Sequence, residues 1–97
     1  MRKIGSVEVK AVGSATGVRV KLQNADFILI LGVRGYVMCG YLNMETAEKK
    51  GDAACMVTNV SSFEEVLAAK IVAVSSKARA LGIIEGMTGK EALEFLA

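Results

Sequence analysis

The sequence predicts an α+β fold. The expectation is a single domain, residues 1–97, built on a largely antiparallel or mixed sheet of about five strands with helices packed on one face. Three observations carry it. Polar–apolar alternation fills the first third of the chain, a continuous β-rich apolar run follows, and helix-capping signals mark the rest. Ninety-seven residues are enough for one hydrophobic core without disulfides or metals.

The elements follow in chain order. "VEVKA" places Val7, Val9 and Ala11 on one side and Glu8 and Lys10 on the other. "VRVKL" repeats the pattern, and Val18, Val20 and Leu22 are expected to face in while Arg19 and Lys21 face out. The turn residues of "GSATG" between them predict an antiparallel pair. "FILIL" at 27–31 does not alternate, so it reads as a central strand covered on both faces, with strand 17–22 beside it. "GVRG" makes a turn and "YVMC" at 36–39 returns as the next strand. Asn43 caps a helix over "METAEKK", in which Glu45 and Lys49 pair at i,i+4, and Gly51 ends it. "AACMV" at 53–57 is a short strand. Ser62 and Glu65 form a capping box that opens an apolar 3.6-residue period over 63–80, as one helix or as two broken near Ala69. Within it "IVAV" alone would pass for a strand. Thr88 and Glu91 form a second capping box, and the last helix runs from there through Leu96.

Composition excludes several function classes. There is no His, no Pro and no Trp, and there are two Cys. An imidazole-dependent triad is therefore impossible, and a structural zinc site lacks ligands, so neither a metal nor a cofactor is expected. "EGMTGKE" at 85–91 fails as a phosphate loop: Ile84 stands where glycine is required, and Glu91 where Ser or Thr must follow Lys90. After Arg2 and Lys3 the chain alternates instead of entering an apolar leader, and its apolar runs are too short to span a bilayer. Two Cys with no secretion signal point to a reduced, cytoplasmic setting and to no membrane partner. The net charge of +2 demands no polyanion. Arg2, Lys3, Lys10, Arg19 and Lys21 concentrate positive charge in the first hairpin, the one feature that would carry nucleic-acid binding. They lack interleaved aromatics, so solvated outer strand faces are the expected reading.

Cys39 is the candidate for chemistry. It ends a strand just before the Asn43 cap, where free helix N–H groups would stabilise a thiolate, and Arg34 is near in sequence. The competing reading is packing, since a free Cys is a common small core residue. Cys55, in mid-strand, is read as structural. A Cys39–Cys55 disulfide would need neighbouring strands and an oxidising compartment.

"GYVMCG" at 35–40, "AACMVTNVSSFEEVLAA" at 53–69 and "ALGIIEGMTGKEAL" at 80–93 resemble a YunC-like family of small prokaryotic proteins, classed as a domain of unknown function. The resemblance covers most of residues 35–93 and implies a compact domain that stands alone. It implies no established activity, and its motif falls on Cys39.

The resulting expectation is a non-catalytic oligomeric or small-ligand-binding protein, with a reactive-thiol enzyme using Cys39 as the alternative. Arg34, Tyr36, Gly40 and Asn43 are the candidate binding residues around Cys39. Hydrophobic residues make up 53% of the chain and Gly adds ten more, above the roughly 45–50% apolar content, Gly included, of an ordinary domain. That excess predicts a homo-oligomer, a dimer first, with Met44, Ile83, Ile84 and Met87 as the expected contacts.

Overall fold

The computed structural model describes residues 2–4 and 7–97. Its strands lie side by side in chain order: β1 (Arg2–Ile4), β2 (Val7–Val12), β3 (Ala15–Lys21), β4 (Asp26–Leu31), β5 (Tyr36–Met38), β6 (Ala54–Met56) and β7 (Ala73–Val74). Every neighbouring pair is antiparallel except β5 and β6, which are parallel. The helices are α1 (Met44–Lys50), α2 (Phe63–Ala68), α3 (Ser76–Ala80) and α4 (Gly89–Leu96). The architecture is α+β on a mixed sheet, and β4 is its middle strand with β3 beside it, as expected.

Two strands exceed the expected count. One is β1. The other, β7, decides the 63–80 stretch: α2 stops at Ala68, the Ala69 backbone turns extended, and "IVAV" supplies an edge strand before Ser75 caps α3. Sheet pairing overrides helical period here. The Val72 N–H donates to the Met56 carbonyl at 2.8 Å, and the Ser75 N–H to the Ala54 carbonyl at 2.9 Å.

The caps follow the sequence closely. Asn43 Oδ1 accepts the Thr46 N–H, and Gly51 closes α1 in the left-handed region at φ 76°. Thr88 and Glu91 form a full capping box. Ser62 caps α2 by accepting the Glu65 N–H, but the Glu65 carboxylate reaches back one residue further, to the Ser61 N–H and hydroxyl.

The core lies between one sheet face and α2, α3 and α4. Ile28, Ile30, Val37 and Cys55 project from the sheet to meet Phe63, Val66, Ala78, Ala92 and Leu96. Two glycines set this approach. A Cβ at Gly17 would sit 2.6 Å from the Phe63 ring of α2, and one at Gly32 would strike the Leu96 carbonyl of α4. The remaining helix, α1, is the crossover that the parallel β5–β6 pair requires. It lies on the opposite face, where Ala47 packs with Met38 and Ala54.

Register fixes which face each side chain takes. Val7 pairs with Val20, Val9 with Val18, and these with Phe27 and Leu29. Leu29 pairs with Met38, on the face that α1 covers. The valines expected to face the core therefore point away from α2 and α4, and Val7, Val9 and Leu22 are 37%, 38% and 41% exposed. Likewise only one face of β4 is sealed: Ile28 and Ile30 are fully buried, whereas Leu31 is 40% exposed. Glu8, Lys10 and Arg19 lie on the helix side. They are not merely solvated, because Lys10 pairs with Glu64 and Arg19 with Asp26.

Candidate functional site

A cleft of about 910 Å³ opens where the C-terminal ends of the parallel pair β5 and β6 meet the β3–β4 turn. Three chain segments build it. Lys21–Asp26 forms one wall, Cys39–Tyr41 the floor, and Thr58–Ser61 the other wall. Crevices beyond the carboxyl ends of parallel strands, where the sheet changes direction, are recurrent ligand sites, because each strand delivers the chain into a loop there. The volume falls within the ~300–1,000 Å³ usual for small-molecule sites.

The floor is set by the way β5 ends. The Cys39 N–H donates to the Ile28 carbonyl at 3.2 Å, but the Cys39 carbonyl turns away to accept the Leu42 N–H. That leaves the Ile28 N–H without its ladder partner, and Cys39 Sγ accepts it at 3.3 Å. Sulfur is a weak acceptor, yet it satisfies a donor on a residue that is 0% exposed. Cys39 itself is 4% exposed and lines the cleft. Both cysteines are free. Burial pushes the Cys55 thiol up to about 12.

Asn59 shapes the second wall. Its φ of 58° makes it the one non-glycine residue in the left-handed region among those described. Asn tolerates that conformation better than most residues, and it turns the chain sharply after β6. On the first wall, the Asp26 carboxylate is held by Arg19 through contacts of 2.7 and 2.6 Å. The cleft thus sets hydroxyls and amides, with Lys21 as its cation, among apolar side chains such as Leu22, Tyr41 and Val60.

The expected site residues do not converge. Cys39 and Gly40 share the cleft floor. Arg34 lies at the opposite end of β5, where its N–H donates to the Leu96 carbonyl at 2.9 Å, so it cannot serve Cys39. Tyr36 also sits at that far end, on the α1 face. Its hydroxyl donates to Asp52 at 2.7 Å, and burial, that hydrogen bond and the Asp52 charge hold its phenol up at about 12. Asn43 lines a separate hollow, and its carboxamide is occupied in capping α1. The helix N–H that would have met the Cys39 sulfur is taken by Asn43. The residues missed were Asp26, Thr58, Asn59 and Ser61. The signal for them was turn chemistry, "LQNAD" between two strands and "TNVSS" after a buried one.

Among the described residues no three His, Cys, Asp or Glu side chains gather to hold a metal ion, and no helix is long and apolar enough to cross a membrane.

Residues 38–96 match the profile of a family described as "Domain of unknown function (DUF1805)". The chain is 35% identical over 82 residues to the "Uncharacterized protein YunC" of Bacillus subtilis (strain 168), covering 80% of this chain and 81% of that protein. It is also similar to a solved structure, a protein of unknown function, TA1206, from Thermoplasma acidophilum. The TM-score is 0.85 at 35% identity, covering 94% of this chain and 91% of the other. With a profile match over more than half its length and a relative this close, the chain belongs to the DUF1805 family, whose function is unknown.

Proposed function

We propose that the protein is a non-catalytic, cytoplasmic, homodimeric domain that binds a small polar molecule in the cleft above Cys39. One observation carries the ligand reading: a cleft of about 910 Å³, mixed in lining and including the side chains of Lys21, Gln23, Asn24, Asp26, Thr58, Asn59 and Ser61, sits at the carboxyl ends of the parallel strand pair. Its chemistry supports a neutral ligand or one with a single negative charge, since Asp26 is already neutralised by Arg19 and Lys21 remains. Two free thiols support the reducing compartment.

Cys39 is a floor residue in this reading. Its sulfur is engaged with the Ile28 N–H, and the chain has no His to act as a base beside it. Catalysis through Cys39 is the competing reading, favoured only by its place at the cleft.

The test uses Gly40. Its backbone is not in the left-handed region, and the nearest atom to an added Cβ is the Thr58 methyl at 3.8 Å. Gly40→Phe therefore fills the cleft without strain. Amide shifts of the wild type are recorded against a panel of small carboxylates, amino acids and nucleosides. The expected result is saturable shifts at Asn24, Gly40 and Asn59 for at least one compound, abolished in a folded Gly40→Phe variant. Absence of shifts across the panel, shifts mapping elsewhere, or turnover of a compound that depends on Cys39 would overturn it.

A further inference from the structure

We propose that the occupant of the cleft is a free nucleoside, its base edge read by the carboxamides of Gln23, Asn24 and Asn59 and its ring laid against Tyr41, a choice that rests on the small-ligand reading above and narrows it to one chemistry.

The lining is selective in its side chains. The chain holds four carboxamides, Gln23, Asn24, Asn43 and Asn59. Three of the four line this cleft, although only 13 of the 97 residues do. Asn commonly stabilises a turn by bonding a nearby backbone group. Asn43 does so where it caps α1 through the Thr46 N–H. The β3–β4 turn is closed by backbone instead, with the Leu22 N–H donating to the Ala25 carbonyl at 3.0 Å. Asn59 contributes a left-handed backbone to its turn, which does not occupy its amide. Among the described residues no hydrogen bond within the protein engages the carboxamides of Gln23, Asn24 or Asn59, and all three residues are exposed.

A carboxamide sets a donor beside an acceptor. Its complement is a planar group with an acceptor beside a donor. Every nucleobase carries such a pair on an edge, and Asn and Gln bond it bidentately, as they do adenine N6 and N7. An unpaired base also has flat faces that stack on aromatic side chains. Tyr41 supplies that ring, lining the cleft at 52% exposure. Gly40 before it has no side chain, and only the Thr58 methyl lies within 4 Å of where a Cβ would stand. Space for a flat group is therefore open along this floor. Leu22 and Val60 add apolar surface, and Thr58 and Ser61 add hydroxyls suited to a ribose.

Other small polar molecules match less of this lining. An α-amino acid needs a carboxylate for its ammonium group, and Asp26 is held by Arg19 through contacts of 2.7 and 2.6 Å. A polyphosphate needs several cations, and Lys21 is the one cation among the lining residues. The same shortage argues against a nucleic-acid strand, whose affinity comes largely from phosphate contacts. A bare sugar has no planar edge for the amides to bond.

The test is a titration of the full chain followed by amide shifts. The probes are adenosine, guanosine, cytidine and uridine, with ribose, alanine, inorganic tripolyphosphate and a short single-stranded RNA for comparison. At least one nucleoside should give saturable shifts at Asn24, Tyr41 and Asn59, and bind more tightly than ribose, alanine or tripolyphosphate. Tyr41→Ala should weaken that nucleoside on the order of 10-fold, whereas Tyr41→Phe, which keeps a stacking ring, should stay within about threefold. Asn59→Gly keeps the left-handed turn and removes one amide, and should also weaken binding on the order of 10-fold. The folded state of each variant is read from the same amide spectra. Cleft shifts from ribose, alanine or tripolyphosphate that equal or exceed those of every nucleoside overturn the nucleoside and leave the cleft as a ligand site. RNA binding that is tighter than any nucleoside and falls steeply with salt overturns the free nucleoside in favour of a strand. Nucleoside binding unchanged in folded Tyr41→Ala and Asn59→Gly overturns recognition by ring and amide. No shifts with any probe, or shifts mapping elsewhere, overturn the nucleoside and the cleft reading together.

Discussion

Ser75→Ala is expected to be the most damaging single-atom deletion in the domain. Ser75 is 1% exposed and is the sole polar residue of the buried set. Its hydroxyl donates to the Asp52 carbonyl at 2.7 Å and accepts the Ala54 N–H at 2.9 Å and the Ala78 N–H at 3.3 Å. One oxygen therefore ties the start of β6 to the first turn of α3. Removing it strands the Ala54 N–H, on a residue with no exposure, at a cost of about 1–3 kcal/mol. It also removes a helix N-cap, worth typically ~1 kcal/mol. The Asp52 carbonyl, on a half-exposed residue, can turn to water and adds little. The sum is about 2–4 kcal/mol, out of the ~5–15 kcal/mol that holds a domain of this kind together. In urea at a single protein concentration, the midpoint should fall with the slope unchanged. In a thermal scan the loss should appear as a Tm lower by roughly 10–25 °C. Ser14→Ala, in the exposed β2–β3 turn, should stay within about 0.5 kcal/mol of wild type. A Ser75→Ala loss under about 1 kcal/mol would show that the three hydrogen bonds do not act together as described.

The other predictions are shorter. Cys39→Ala should cost about 1–3 kcal/mol by orphaning the Ile28 N–H, whereas Cys39→Ser, which keeps an acceptor, should cost less; equal losses in urea denaturation would remove the sulfur's structural role. Iodoacetamide should modify Cys39 well before Cys55, whose thiol burial holds at about 12; equal rates in the folded protein, read by mass spectrometry, would contradict this. Stability should be level above about pH 4.5 and decline below it. Glu48 is held low by the Ser76 hydroxyl, Glu65 and Glu91 by the Ser61 and Thr88 N–H groups, and Glu85 by Arg79; a depressed carboxylate stabilises above its unfolded pKa and loses that contribution as pH falls through its folded one. At the alkaline end the sign reverses for Tyr36: its folded value near 12 exceeds the ordinary 10, so its contribution is complete below pH 10 and is lost as pH rises toward 12. Thermal melts across pH that rise on acidification would refute the first limb, and melts unaffected by Tyr36→Phe above pH 10 the second.

Local chemistry carried most of the fold. Asn43, Gly51, Ser62 and Thr88 act through atoms within four residues of themselves, so their roles were legible without knowing what packs where. "FILIL" was legible as the central strand because no polar residue interrupts it. The 63–80 segment was not legible in the same way. Its apolar residues satisfy a helical period, and only the Val72 and Ser75 amides reaching carbonyls of β6 make two of them a strand. The cleft was less visible still. It is assembled from segments near residues 24, 39 and 59, and each reads alone as an ordinary turn. Cys39 stood out as a candidate thiol, but its hydrogen bond to the Ile28 N–H comes from a strand pairing that spacing alone does not supply.

The most instructive difference concerns direction. Alternation in "VEVKA" and "VRVKL" says that each strand has an apolar and a charged side, and the structure agrees. It does not say which side the helices take. That is decided by the helices themselves: α2 brings Phe63 onto the Gly17 notch and Glu64 to Lys10, so it can sit only on the side where β2 and β3 carry charge and a glycine. Once α2 and α4 occupy that side, the valines are turned to the other, and α1 is too short, at seven residues, to cover more than the β5–β6 end. An apolar excess that looked like a property of the whole chain thus becomes a property of one surface.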